Sequence, residues 1–244
     1  MTAHLLLSFL GTGGALGGGR LFSAFMADNH VLFDCAPTVP LALRRMKKDP
    51  LLITHVFITH YHGDHVLGLP FLLAEYALKH RRREPLHVIG PPDIEERIWR
   101  LTELSFSPIA GEVMEKSAVR FHPFRDQEIL QTAAGISFTP YRMRHFGNSF
   151  GFRVGFPGAV LAYSGDTGFC STIGRLVEGA DVAVLEMNSL AVDFHAHLNL
   201  AQIEEIRRTT PSRLKIVVTH REDDEVPSLE GVIMAEDFGE YRFP

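Results

Sequence analysis

The stretch His60-Tyr61-His62-Gly63-Asp64-His65 places three imidazoles and one carboxylate close together at a single point of the chain. The mostly apolar run Val56-Phe57-Ile58-Thr59 precedes it and predicts a buried strand that ends at the site. The strand end can fix the first donors, and Gly63 lets the backbone turn so that the later ones face the same space. Imidazoles and carboxylates suit zinc, manganese or iron, and four donors exceed one open catalytic shell. The stretch therefore predicts a site for two divalent metal ions rather than a histidine-rich surface loop.

Composition narrows the class of protein. The chain has 244 residues, of which 45% are apolar and 22% charged, so we expect one domain over residues 1–244 with a sizeable core. A net charge of -5 argues against a protein that binds nucleic acid through an overall positive charge. Cys35 and Cys170 are too few for a disulfide scaffold, which predicts free thiols in a reducing cytoplasm. The apolar opening Leu5-Leu6-Leu7-Ser8-Phe9-Leu10 is too short to span a membrane and predicts a strand.

Two basic clusters stand out against the acidic net charge, at residues 44–48 and 79–83. Both are expected to be solvated helix ends, because cations favour helix C-termini. The second cluster follows the helix after the metal motif, so it is also a candidate for contact with a phosphate-bearing substrate.

Hydrophobic patterning predicts strands that alternate with helices. Strands are expected at 5–10, 24–27, 31–34, 56–59, 86–89, 136–142, 151–155, 160–164, 182–186 and 215–219. Helices are expected at 39–48, 66–80, 93–104, where Asp93 would be the cap, and 200–209. Residues 232–243 are expected to close a sheet edge. The pattern favours an α+β fold with two sheets face to face and helices outside both.

Three further donors each stand at the end of an apolar strand: His145, Asp166 and His220. Taken singly, each is more typical of a core histidine or a turn aspartate than of a ligand. Together with the first motif they make seven donors, which is about what two metals need when one carboxylate bridges them.

The pattern His60-x-His62-x-Asp64-His65, followed by His145, Asp166 and His220, resembles the metallo-β-lactamase fold superfamily, in particular its ribonuclease Z-like phosphodiesterase branch. The resemblance runs almost from end to end, through residues 9–15, 33–34, 68–70, 89–92 and 149–153. It implies an αββα four-layer sandwich of two mixed sheets, with the metals at the edge between them.

The resemblance also implies a role for each donor. Three imidazoles would hold one ion, those of His60, His62 and His145. The second ion would be held by Asp64, His65 and His220, and Asp166 would bridge the two. Zinc is the expected metal, with manganese or iron as alternatives. Asp34 resembles a buried aspartate of the family that orients ligands, and an ordinary turn residue is the alternative for it.

The segment 193–199 offers a catalytic histidine just before a predicted helix. His197 is preferred over His195 because of its position at the helix start, where Asn199 is a suitable cap. It would stabilise phosphoryl charge or protonate the leaving oxygen. Glu186 could orient it, or could simply be a satisfied carboxylate at a strand end.

The glycine-rich stretch 11–19 contains a dinucleotide-like pattern. A nucleotide-binding fold would need a helix directly after it and an acidic residue about twenty positions on. More glycines and another strand follow instead, so we expect a structural turn at the rim of the metal cleft.

Two metals favour hydrolysis by a hydroxide held between them, with Asp64 as ligand and proton acceptor. A small or cyclic phosphodiester is the expected substrate. Ribonuclease Z carries a transfer-RNA-gripping arm for which this chain has no room between Arg153 and the strand before Asp166. The acidic run 222–225 would also repel a polyanion, so RNA is disfavoured.

Other functions stay open at this point. A lactone or carboxylic-ester hydrolase uses the same metal motif, and an RNA endonuclease without the arm is a further alternative. A non-catalytic binding protein would be expected to lack some of the metal ligands, whereas all seven positions are filled here. Iron redox relatives usually carry glutamate where this chain has His62, which argues against that class. Dimers are common in the branch, so a homodimer is one expectation.

Overall fold

The computed structural model describes residues 4–16, 18–132, 135–192 and 194–244. Six strands in the first half are Leu5–Gly11 (β1), Ala24–Ala27 (β2), Val31–Phe33 (β3), His55–Phe57 (β4), Leu86–Gly90 (β5) and Val119–Pro123 (β6). Seven more follow, at Leu130–Gln131 (β7), Ser137–Arg142 (β8), Phe150–Phe156 (β9), Ala159–Tyr163 (β10), Val182–Glu186 (β11), Lys215–Thr219 (β12) and Val232–Met234 (β13). The last strand is Glu240–Phe243 (β14).

Within the described residues these strands form two mixed sheets. The first has the order β14-β1-β2-β3-β4-β5-β6, and the second the order β13-β12-β11-β10-β9-β8-β7. Strands β3 to β6 run parallel to one another, as do β10 to β13. The predicted donors follow the carboxyl ends of β4, β8, β10 and β12, and the predicted orienting residues Asp34 and Glu186 lie at the ends of β3 and β11. All of them therefore collect at one edge of the sandwich.

The helices are Val39–Arg45 (α1), Gly63–Val66 (α2), Leu69–Ala74 (α3), Ile94–Phe106 (α4), Ala110–Lys116 (α5), Thr172–Val177 (α6) and Leu200–Thr209 (α7). Apolar side chains form three buried clusters. One lies between the sheets, one joins the first sheet to α1 and α3 to α5, and one joins the second sheet to α6 and α7. Sheets buried on both faces confirm the α+β sandwich with helices outside.

A row of phenylalanines crosses the first sheet on its inner face. Phe9, Phe25, Phe33 and Phe57 stack in sequence with ring centroids 5.3, 4.7 and 5.2 Å apart. Tyr163 of the second sheet packs edge-on against the rings of Phe25 and Phe33. Such aromatic pairs stabilise both a sheet and the packing between sheets. The row links β1 to β4 across the first sheet, and Tyr163 joins it to β10 of the second sheet.

The helix predicted at 66–80 is three consecutive pieces: α2, α3 and a π-helical turn at Glu75–His80. Gly68 separates the first two. A Cβ at this position would lie 2.0 Å from the carbonyl oxygen of Ala36, so only glycine allows the close approach. The break lets α2 pack against the end of β3, where the Cys35 N–H donates to the carbonyl of His65.

Several expectations about local structure were wrong. The segment 232–243 is two strands that close different sheets, not one edge. Asp93 makes no capping hydrogen bond to α4. Arg82 of the second basic cluster is buried rather than solvated, because its guanidinium donates to four backbone carbonyls, those of Leu51, Ile53, Glu84 and Pro85. Its donors are thus committed to the fold rather than to a substrate.

Both cysteines are free thiols, and burial raises the pKa of Cys35. None of the helices in the described ranges combines the length and apolar character that a bilayer crossing requires.

Three histidines lie on the neighbouring strands β4, β5 and β6: His55 at the start of β4, His87 in β5 and His122 in β6. The rings of His55 and His87 stack at 5.0 Å, and Nδ1 of His87 lies 2.8 Å from Nε2 of His122. Burial lowers the pKa of His55 to about 4, with smaller contributions from His87, His30 and His122. The row therefore favours neutral imidazoles.

We expect acid to destabilise the fold through His55. Its folded pKa lies below the ordinary 6.5, so the unfolded chain binds more protons and stability falls as the pH drops from about 6.5 toward 4. His55→Asn should reduce the loss between pH 7 and pH 4.5 by about 2 kcal/mol. Urea unfolding in the presence of a chelator measures it, with the exposed His195→Asn as control. Equal pH dependence in His55→Asn and the wild type would contradict the assignment.

Candidate metal centre

The predicted donors converge at one edge of the sandwich because they follow strands whose carboxyl ends meet there. The first motif follows β4, Asp166 follows β10, and His220 follows β12. His145 lies beyond β8 and reaches the same edge. All but His62 and His145 are buried.

One group of donors comprises His60, His62, His145 and Asp166, whose candidate ligand atoms lie within 4.8 Å of one another. Nε2 of His145 lies 3.2 Å from Nδ1 of His62. Oδ2 of Asp166 lies 3.7 Å from Nε2 of His60 and 3.8 Å from Nε2 of His145.

A second group comprises Asp64, His65, Asp166 and His220. Nε2 of His65 lies 3.3 Å from Oδ2 of Asp64 and 3.3 Å from Oδ1 of Asp166. Nε2 of His220 lies 3.3 and 3.4 Å from the same two carboxylates. Asp166 belongs to both groups, as expected of a bridging carboxylate. The ligand roles themselves stay predictions.

Asp34 lies directly behind His65 and is fully buried. Its Oδ2 accepts hydrogen bonds from Nδ1 of His65 and from the hydroxyl of Tyr163, both at 2.8 Å. Its Oδ1 accepts the backbone N–H of Thr59 at 2.9 Å. The ring of His65 must then present Nε2 to the cluster. This geometry favours the orienting role over that of an ordinary turn residue.

Two other imidazoles are oriented by groups that the sequence did not reveal. Nδ1 of His145 donates to the backbone carbonyl of Ala196 at 2.9 Å. Nδ1 of His60 lies 3.0 Å from the hydroxyl of Thr59. Both contacts direct Nε2 toward the cluster. Thr59 adjoins the motif and could have been suspected, whereas a carbonyl contact leaves no sequence signal.

His197 packs against the donors, and His195 does not. The ring of His197 lies 4.8 Å from that of His145 and 5.6 Å from that of His220. Nδ1 of His197 donates to Oε1 of Glu186 at 2.8 Å. The exposed His195 contacts the rings of Phe146 and Phe194.

The start of α7 follows the sequence prediction. Asn199 accepts the backbone N–H of Gln202, whose side chain in turn accepts the N–H of Asn199. Glu186 also accepts the backbone N–H groups of Thr167 and Leu198. His197 is therefore held between a fixed helix start and a fixed carboxylate.

Burial and neighbouring charges shift the pKa values of the cluster in opposite directions. Burial alone would raise the pKa of Asp64, but hydrogen bonds from His220 and His65 hold it well below its usual range. Burial alone would lower the pKa of His220, but Asp166 and Asp64 raise it to about 9. Asp166 and Asp34 likewise raise the pKa of His65 despite burial. Protons thus balance the carboxylates here, and a bound cation would displace them.

Burial lowers the pKa of His60 and brings that of His145 to about 4. These two imidazoles of the first group are therefore favoured in their neutral form. Burial would lower the pKa of His197, but the hydrogen bond to Glu186 raises it.

The donor set fits divalent metal ions. Nε2 of His60 and Oδ1 of Asp166 are buried, yet neither finds a hydrogen-bond partner among the described residues. Buried polar atoms without partners are costly, and a metal ligand is a common reason for one. Imidazole nitrogens with carboxylate oxygens are the donors that zinc, manganese and iron accept.

One donor and the residue that orients another have an unusual backbone conformation. His220 has φ +60° and Asp34 has φ +57°. Gly165, with φ +55°, precedes Asp166, and a Cβ there would lie 2.8 Å from Cγ2 of Thr59. Positive φ is strained for residues other than glycine, and such strain clusters at functional sites.

The rim over the second group encloses a cavity of about 360 Å³. Ala15 and Leu16 of the glycine-rich stretch line it, as expected of a turn at the rim; Gly17 lies outside the described residues. Glu222 also lines it and accepts the backbone N–H of Leu16, while Asp223 accepts that of Leu190. The acidic run thus holds two rim loops beside His220.

The chain matches a protein-family model and several known proteins. A model described as the beta-lactamase superfamily domain matches residues 29–220. An uncharacterized protein of Mycobacterium tuberculosis is 35% identical over 142 residues, 57% of this chain and 50% of that protein. A ribonuclease Z of Metallosphaera sedula is 27% identical over 212 residues, 71% of this chain and 72% of that protein.

The crystal structure of the short form of human tRNase Z superposes with a TM-score of 0.77 at 27% identity, covering 98% of this chain and 99% of that one. The aligned part spans about half the length of the mycobacterial relative.

Asp34→Asn is expected to weaken metal binding about 10- to 100-fold, because the amide cannot hold the His65 ring with the same charge and geometry. Competition with a chromogenic zinc chelator measures the affinity. Asp181→Asn is the matched control, since that carboxylate accepts the Val160 backbone N–H at the start of β10, far from the cluster along the strand. Unchanged affinity in Asp34→Asn would show that Asp34 is merely structural.

Proposed function

The chain belongs to the beta-lactamase superfamily, and on that premise we propose that it uses two divalent metal ions to hydrolyse small or cyclic phosphodiesters. Its matches to a ribonuclease Z and to human tRNase Z confirm the ribonuclease Z-like branch. The observation that carries the proposal is the pair of four-donor groups that share Asp166.

In this proposal His60, His62 and His145 hold one ion, while Asp64, His65 and His220 hold the other. Zinc is the proposed ion, with manganese or iron as alternatives, and the proposed location is the cytoplasm. The ions would act as Lewis acids on the phosphoryl oxygens and lower the pKa of bound water toward about 7. Asp64 lines the cavity over the second donor group, and its carboxylate would accept a proton from the attacking water.

His197 is the proposed general acid. Its Nδ1 is occupied by Glu186, so its Nε2 is the nitrogen left to donate a proton to the leaving oxygen. Two backbone N–H groups donate to Glu186 and hold it in place, so its carboxylate can position the imidazole of His197.

The rim favours a small substrate. Pro157 and Gly158 alone connect β9 to β10, so the hairpin carries no arm between His145 and Asp166. The cavity of about 360 Å³ suits a small molecule, and Glu222 adds negative charge to its wall. A long polyanion such as RNA would meet that charge directly.

The metal-loaded protein is expected to hydrolyse bis(p-nitrophenyl) phosphate in preference to a carboxylic ester or a lactone. Asp64→Ala should abolish the activity, because it removes a ligand and the proton acceptor together. Release of p-nitrophenol, measured alongside metal content, checks both points. Turnover of the lactone alone would instead favour a lactonase.

His197→Ala is expected to lower kcat about 10²- to 10⁴-fold while metal content stays the same, because a positioned general acid contributes that much. His195→Ala is the matched control and should remain within about twofold of the wild type, since its ring faces Phe146 and Phe194. If the two variants lost activity equally, His197 would not be the acid.

A further inference from the structure

A second cavity, of about 430 Å³, opens beside the metal cluster on the side of His60 and His62. Its remaining walls come from Tyr61, Asp93, Arg97, Arg142, Phe146, Gly147 and Asn148. His62 also lines the cavity over the second donor group, so the two spaces meet at a predicted ligand. A substrate seated at the metals can therefore extend into this cavity.

Arg97 of α4 is held in a fixed position in the cavity wall. Its Nε donates to Oδ2 of Asp93 at 2.9 Å, and its guanidinium lies 5.4 Å from the centre of the Tyr61 ring. The Tyr61 hydroxyl donates to the other oxygen of Asp93 at 2.8 Å. Asp93 thus fixes the guanidinium from the side, and in the described part of the chain the terminal amino groups of Arg97 make no hydrogen bond.

Arg142 ends β8 on the same cavity wall. Its backbone N–H donates to Asp126, but its guanidinium has no hydrogen bond or ion pair with any described residue. By contrast, Arg100 on the same helix as Arg97 lies 3.7 Å from Glu96. Two guanidinium groups against one carboxylate leave this cavity net positive.

The charge around the metal cluster is therefore asymmetric. Glu222 lines the rim beside His220, whereas Arg97 and Arg142 line the cavity beside His62. An additional anionic group on the substrate would be repelled on the first side and attracted on the second.

We propose that the cavity lined by Arg97 and Arg142 binds a second phosphate group, so that the preferred substrate is a phosphodiester that also carries a phosphate monoester. Guanidinium groups pair with phosphate oxygens through two parallel hydrogen bonds, and Arg142 has all its donors available for this. The inference rests on the proposed phosphodiesterase function and names its substrate class.

The test compares p-nitrophenyl diesters of thymidine 5′-phosphate that differ only at the 3′ position: hydroxyl, phosphate or succinyl carboxylate. The wild type should prefer the 3′-phosphate over the 3′-hydroxyl diester by at least about tenfold in kcat/KM. Arg142→Gln and Arg97→Gln should each reduce that ratio by about tenfold. Arg100→Gln, on the same helix as Arg97, should leave the ratio unchanged, and circular dichroism verifies that each variant is folded.

Hydrolysis of the 3′-phosphate and 3′-hydroxyl diesters at equal efficiency, or an unaltered ratio in Arg142→Gln, would overturn the subsite while the proposed function stands. If the 3′-succinyl diester were preferred over the 3′-hydroxyl diester as strongly as the 3′-phosphate diester is, the cavity would not be a phosphate site. If no diester is cleaved, the proposed function fails instead. Calorimetry then still decides the subsite: thymidine 3′,5′-bisphosphate should bind about tenfold tighter than the 5′-monophosphate, and Arg142→Gln should remove the difference.

Discussion

Four carboxylates with almost no solvent access lie at one edge of the sandwich: those of Asp34, Asp64, Asp166 and Glu186. Taking a charge out of water costs several kcal/mol unless an opposite charge and hydrogen bonds compensate. Each of the four carboxylates has an imidazole nitrogen close by. The raised pKa values of His65 and His220 indicate that the site attracts positive charge. Fully ionised, the four would carry a charge that two divalent cations match. This requirement for counter-charge shapes the rest of the site.

The sandwich satisfies the requirement by linking its core to the cluster. Tyr163 packs against phenylalanines of the opposite sheet and uses its hydroxyl to bind Asp34, which in turn orients His65. Gly165 lies against Thr59, where a Cβ would clash, and its positive φ turns the chain into Asp166. The geometry of the donor cluster therefore depends on sheet packing, so we expect a mutation in the aromatic core to shift the donors as well.

The sequence predicted the elements with strong boundary signals and the donors with dense spacing. Helix α7 matched because Asn199 gives a capping box, and β11 and β12 matched because continuous apolar runs end in polar residues. Helices α5 and α6 and strands β6 and β7 were missed, since they are short and carry weak periodicity. Contacts between distant segments, such as Tyr163 with Asp34, left no local signal. Asp93 was expected to cap a helix, yet its side chain accepts hydrogen bonds from the distant Tyr61 hydroxyl and from Arg97 one turn along α4.

The most direct test of the central claim is the metal content of the purified chain after loading and gel filtration, read by inductively coupled plasma mass spectrometry. Two ions per chain in the wild type, with both lost in Asp166→Ala because that carboxylate faces both donor groups, is the expected result. A protein that takes up no divalent metal, or one whose two ions survive removal of Asp166, would contradict the shared-carboxylate centre.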